Sequence, residues 1–130
     1  EEVLQMNYVT ELAAENEISI FETMHSSAWE NNTVISPTFS LTKRKQLFED
    51  IEDENQFDLI YFDAFGYDIQ PELWSESIFK SMFNALKSKG VLVTYACRTV
   101  IKNNMKSAGF KVEKLPGAPG KREMLRARKE

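Results

Sequence analysis

Apolar residues recur at three- and four-residue steps across residues 3–14 (VLQMNYVTELAA) and 18–29 (ISIFETMHSSAW), which predicts two helices. Asn31-Asn32 interrupts that pattern, and residues 38–45 (TFSLTKRK) predict a strand with a charged far end. Leu47, Phe48 and Ile51 suit a short helical turn ahead of the acidic stretch Glu52-Asp53-Glu54-Asn55. From residue 57 the pattern sharpens. Phe57–Phe62 is an almost unbroken apolar run closed by Asp63, as in a strand buried on both faces. Residues 75–88 set Ile78, Phe79, Met82, Phe83 and Leu86 on one helical face, with Gly90 as the stop. Val91–Ala96 reads as a second buried strand. Thr99 then caps a helix carrying Val100, Ile101 and Met105, which Gly109 ends. Residues 110–114 alternate as a strand, and after the Pro/Gly loop 115–120 residues 122–128 return as its antiparallel partner.

Strand, helix, strand, helix and a closing pair of strands predict an α/β fold. The sheet is expected to be mainly parallel and closed by an antiparallel hairpin, within a single domain over residues 1–130. In such sheets ligands sit beyond the C-terminal strand ends. That places Asp63–Tyr67 and Ala96–Thr99 at the expected ligand edge.

Composition narrows the chemistry. Of 130 residues, 42% are hydrophobic, enough for one core, yet no run approaches the roughly 18 apolar residues of a membrane span. One cysteine, Cys97, and one histidine, His25, leave no internal disulfide and no thiolate- or histidine-built metal centre to expect. Cys97 reads as a small half-buried side chain and His25 as structural. The setting to expect is reducing and cytoplasmic, with no membrane and no metal. Net charge is −4 but uneven: residues 1–97 hold 6 Lys/Arg against 17 Asp/Glu, and residues 98–130 hold 10 against 3. A basic C-terminal quarter can present a phosphate-attracting face, or can be an ordinary solvated surface.

The residues at the ligand edge carry a resemblance. Asp63-Ala-Phe-Gly66, Pro71-Glu-Leu-Trp74, the amphipathic helix and Gly90-Val-Leu-Val-Thr-Tyr95 resemble the C-terminal half of a class I (Rossmann-like) S-adenosylmethionine-dependent methyltransferase. Together with Gly109-Phe110 and Pro116-Gly117…Gly120-Lys121-Arg122-Glu123-Met124, they resemble the MnmC/MnmD-like family more narrowly. That family finishes the 5-methylaminomethyl-2-thiouridine modification of the tRNA wobble uridine. It occurs alone or as the first half of a bifunctional enzyme with an oxidoreductase half. The resemblance spans about residues 57–128. Tyr67 stands where the family usually has proline, and the family's polar strand end falls near Gln46-Leu47. The five glycines, Gly66, Gly90, Gly109, Gly117 and Gly120, include no Gly-x-Gly turn. The chain therefore looks like a fragment that begins after the main cofactor-binding elements and is expected to be inactive alone.

The resemblance implies S-adenosylmethionine as cofactor and tRNA as partner, and it assigns residues. Asp63 is the catalytic candidate, since a carboxylate can orient an amine and help remove its proton; its bland alternative is a loop cap. Asp63, Ala64 and Phe65 would border the cofactor. Phe65, Gly66, Tyr67, Trp74, Arg98, Lys121 and Arg122 would meet the substrate, the aromatics by stacking on a base and the cations by contacting phosphate. Core packing is the competing account of Trp74 and Phe65, and surface charge that of the cations. An exposed sheet edge would allow an oligomer. The other functions to weigh are a class I methyltransferase acting on another amine and a non-enzymatic α/β interaction module.

Overall fold

A computed structural model describes residues 2–120 and 122–130. They form two compact units, residues 1–46 and residues 47–130.

In the first unit, a 3-10 turn at Glu2–Gln5 leads to α1 (Tyr8–Glu11), a second 3-10 turn at Glu15–Glu17 and α2 (Ile18–Ser26). The continuous helix expected over residues 3–14 is thus broken. Asn7 stands at the break, where its side-chain amide donates to Glu11 Oε1 at 3.0 Å. An antiparallel hairpin follows, β1 (Asn32–Ser36) paired with β2 (Phe39–Thr42). The sequence reading gave β2 but not β1, although the run Thr33-Val34-Ile35 has strand-forming β-branched residues.

The second unit holds β3 (Phe57–Tyr61), α3 (Glu76–Ala85), β4 (Leu86–Thr94), α4 (Thr99–Ser107), β5 (Lys111–Pro116) and β6 (Glu123–Arg128). Short 3-10 turns at Phe48–Asp50 and Pro71–Trp74 flank β3 and α3. The sheet order is β3-β4-β6-β5, with β3 parallel to β4 and both remaining ladders antiparallel. The sheet is therefore mixed rather than mainly parallel, because β6 enters between β4 and β5 instead of adding outside them.

One row shows how the sheet is backed. Ile60, Leu92, Ala127 and Val112 are direct neighbours across all four strands. Leu92 and Ala127 belong to the cluster containing Ile78, Phe79 and Met82 of α3 and Ile101 and Met105 of α4, and Ile60 and Val112 pack against it. Strand alternation sends Leu59 and Tyr61 to the other side, and they are 44% and 79% exposed. The expectation that the strand at 57–62 is buried on both faces fails for this reason: the strand lies at a sheet edge with only one face covered by α3 and α4.

Ser75 starts α3 by accepting the Ile78 N–H on its hydroxyl, a cap worth about 1 kcal/mol. The helix ends at Ala85, not near residue 88. Leu86 is fully buried and pairs with Phe57, and Lys89 takes a φ of 67°. Gly90 lies inside β4, where a Cβ would come within 2.8 Å of the Lys87 carbonyl oxygen. Close backbone packing, not a helix stop, requires that glycine. α4 begins at Thr99 with Arg98 in the cap position, in place of the expected Thr99 cap. Gly109 follows the helix at φ 110° as predicted.

The covered and open faces differ in energetic weight. Phe79→Ala, at a wholly buried position, should cost about 3–5 kcal/mol in denaturant unfolding. Leu59→Ala on the open face should cost less than about 1 kcal/mol. Equal losses would contradict the one-sided packing.

Candidate functional site

β3 leaves the ladder just before Asp63. Phe62, 4% exposed, still donates its N–H to the Val93 carbonyl at 2.9 Å, and Asp63 then emerges into solvent. A buried neighbour thus fixes the backbone that presents an exposed carboxylate. Asp63 borders two depressions. One, of about 250 Å³, has walls from Tyr61, Val93, Tyr95 and Met124 at the ends of β3, β4 and β6. The other, of about 330 Å³, is lined by Phe48, Ala64, Phe65 and Leu73 besides Asp63. Asp63 is the hinge between them.

The loop after Asp63 is braced from behind. Gly66 O accepts the N–H groups of Ile69 and Gln70 at 2.8 and 3.1 Å. The Trp74 indole N–H donates to Phe65 O at 2.8 Å, and the Asn104 amide donates to Trp74 O at 2.9 Å. Arg98 forms an ion pair with Asp68, and its guanidinium lies 5.3 Å from the centre of the Tyr67 ring. Beyond β4, the Thr94 hydroxyl accepts the Ala96 N–H at 3.2 Å, which satisfies a residue only 5% exposed.

Asp63, Ala64, Phe65, Gly66 and Tyr67 come together at the expected edge, with Arg98 across from them. Phe65 is 70% exposed and its ring is available to a ligand. Trp74 is not: it is 2% exposed, with its ring 5.2 Å from Phe62 and 6.4 Å from Phe79. It reaches the site only through its N–H. An added Cβ at Gly66 would meet open space, so no packing demand accounts for glycine there. Lys121 lies outside the described residues, and Arg122 is exposed at the mouth of the β5–β6 hairpin. Sequence reasoning passed over Tyr61, Tyr95 and Asn104. Alternation along β3 and β4 was the available signal for the two tyrosines, whereas nothing local marked Asn104.

Many cations of the basic C-terminal quarter are paired at the surface with carboxylates of the same chain. Glu113 accepts a hydrogen bond from Arg126 at 2.7 Å and forms an ion pair with Arg128 at 3.3 Å, and these cations hold its carboxyl below the usual carboxylate range. Lys114 pairs with Glu123 and Lys111 with Glu130. Lys129 donates to Leu86 O at 2.6 Å and lies 4.9 Å from the Phe83 ring centre. Charge arithmetic alone could not reveal this pairing. Among the described residues, no cluster of three or more His, Cys, Asp or Glu could hold a metal ion, and no helix is long and apolar enough to cross a membrane.

Comparison with known proteins follows the same lines. Residues 10–130 match the family described as S-adenosyl-L-methionine-dependent methyltransferase. The tRNA 5-methylaminomethyl-2-thiouridine biosynthesis bifunctional protein MnmC of Actinobacillus pleuropneumoniae is 34% identical over 71 residues, 55% of this chain and 11% of that protein. The protein of the same description from an Azoarcus species is 37% identical over 71 residues, with the same coverage. The chain thus spans about a tenth of the length of these relatives. Among solved structures, MnmC2 from Aquifex aeolicus superimposes with a TM-score of 0.65 at 23% identity, covering 85% of this chain and 36% of that one.

Cys97 sits beside the site without the properties of a nucleophile. Burial is the main cause that pushes its thiol up, Glu123 adds to it and Lys114 opposes it. Alkylation by iodoacetamide should therefore have a pH midpoint above the free-thiol value of about 8.5. Glu123→Gln should move that midpoint down. A midpoint below that of free cysteine would contradict this environment.

Proposed function

The chain belongs to the S-adenosyl-L-methionine-dependent methyltransferase family, and from that premise we propose that the full-length gene product methylates tRNA. The acceptor in this reading is the 5-aminomethyl group of the wobble uridine, and the setting is the cytoplasm. The printed function of the MnmC relatives supports the substrate. The observation that carries the reading is the position of Asp63 between two depressions. A transfer between two bound molecules needs such a shared boundary.

The cofactor, when bound, supplies an electrophilic methyl group on a sulfonium. The depression beside Phe48, Ala64, Phe65 and Leu73 suits that end, with apolar walls and one carboxylate facing a cation. No Gly-x-Gly turn occurs in the chain to approach the rest of the cofactor. Asp63, Ala64 and Phe65 accordingly hold only the reacting end in this reading, and the 130 residues alone are inactive.

The acceptor amine must be neutral to attack. Asp63 Oδ accepts an N–H from it and aims the lone pair across the boundary. As the new N–C bond forms and the C–S bond breaks, the amine sheds a proton, and the same carboxylate oxygen can receive it. A carboxylate also favours the ammonium form, so orientation is its larger contribution. Phe65 and Tyr95, both exposed, offer flat faces to an unstacked base, worth roughly 1–3 kcal/mol for each stacked base. Lys121 and Arg122 serve as phosphate contacts in this assignment, and Tyr67 and Arg98 shape the loop that follows Phe65.

Asp63→Ala in the full-length gene product should lower the single-turnover methylation rate at saturating tRNA by about 10²–10⁴-fold. Affinity for tRNA should change little, because the carboxylate meets the amine and not phosphate. Near wild-type turnover would return Asp63 to a loop cap.

A further inference from the structure

The loop that displays Asp63 and Phe65 is held partly by its own bonds, from the Ile69 and Gln70 N–H groups to Gly66 O, and partly from outside. From outside, Ala64 and Tyr67 pack against the core, and the Trp74 indole N–H donates to Phe65 O at 2.8 Å. Trp74 in turn ends the 3-10 turn Pro71–Trp74, where carbonyl oxygens lack partners within the turn. The Trp74 oxygen finds its donor on another element, the half-buried Asn104 of α4, at 2.9 Å. Six residues earlier, the cap residue of that same helix, Arg98, holds Asp68 and lies over Tyr67. Helical rise places these two attachment points about 9 Å apart along one rod. That rod is fixed to the core by Ile101 and Met105, both fully buried.

A helix carrying two anchors for one loop acts as a jig. We propose that Asn104 is a positioning residue for methyl transfer: through Trp74 it fixes the Phe65 backbone, and with it the aromatic ring and the carboxylate at Asp63. This inference rests on the methyltransferase reading given above. The physical demand is strict, since displacing reacting groups by about 1 Å can cost 10²-fold in rate. Phe65 is 70% exposed, so its side chain gains little guidance from packing, and its backbone bond must supply the order. Asn104 itself touches neither depression and has no place in the chemistry.

The test uses the full-length gene product with Asn104→Leu and Asn104→Asp, which remove the donor at similar size. Asn103→Leu, on the exposed neighbour, controls for changes in helix propensity. Both Asn104 variants should lower kcat roughly tenfold or more, with KM for S-adenosylmethionine within about twofold. In nitrogen–proton correlation spectra, the Trp74 indole proton should exchange with water at least several-fold faster than in the wild type. In a Trp74→Phe background, which lacks the indole N–H, adding Asn104→Leu should lower kcat little further. Unchanged kcat and unchanged indole exchange, in variants that melt as the wild type does, would overturn the proposal. So would losses that simply multiply in the double variant. If the wild type transfers no methyl group, the methyltransferase reading fails, and slow indole exchange that Asn104→Leu fails to accelerate would still overturn the brace separately.

Discussion

The aromatic cluster of Phe62, Trp74 and Phe79 is the contact on which the second unit and its site both depend. Ring centres lie 5.2–6.4 Å apart, and none of the three residues exceeds 4% exposure. Tilted pairs of this kind contribute about 0.5–1.5 kcal/mol each beyond the area they bury. Their placement matters more than that sum. Phe62 immediately precedes Asp63, Trp74 bonds the Phe65 carbonyl, and Phe79 ties both to α3. The end of β3 therefore cannot shift without disturbing the core. An exposed carboxylate and an exposed phenyl ring are held by buried neighbours, the arrangement a precise transfer between two bound molecules requires.

The charges obey a related economy. The basic end of the chain suggests a broad attraction for phosphate, yet many of these cations are paired with carboxylates of the same chain. Glu113 takes two arginines, Lys129 satisfies carbonyl oxygens at the end of α3, and Arg98 braces a loop. Exposed pairs of this sort add little stability singly, but they fix the β5–β6 hairpin and the loop geometry around the site. Arg122, at the hairpin mouth, is exposed.

Much of the second unit was legible because its elements follow single periodicities. Ile78, Phe79 and Met82 mark the inner face of α3, and Gly109 marks the end of α4 as a left-handed residue should. What escaped was decided by tertiary contact. Leu86 leaves its helical periodicity to fill the core, so α3 stops early. β6 inserts between β4 and β5, an ordering that no local signal encodes. The exposed position of Asp63 and Phe65 was legible from their place after a strand. Asn104 was invisible, since a lone polar residue on a helix reveals its partner only when Trp74 is brought against it. Trp74, for which sequence offered both stacking and core packing, is core, and its one polar atom bonds the loop.

The central claim is that Asp63 stands at the boundary across which a methyl group reaches a tRNA amine. The most direct measurement is mass spectrometry of nucleosides from tRNA carrying 5-aminomethyl-2-thiouridine, incubated with the full-length gene product and S-adenosylmethionine bearing an isotopically labelled methyl group. The account predicts one labelled methyl on the wobble uridine, lost in Asp63→Ala. Label that enters only a protein or a free small amine, with none on the tRNA, would contradict it.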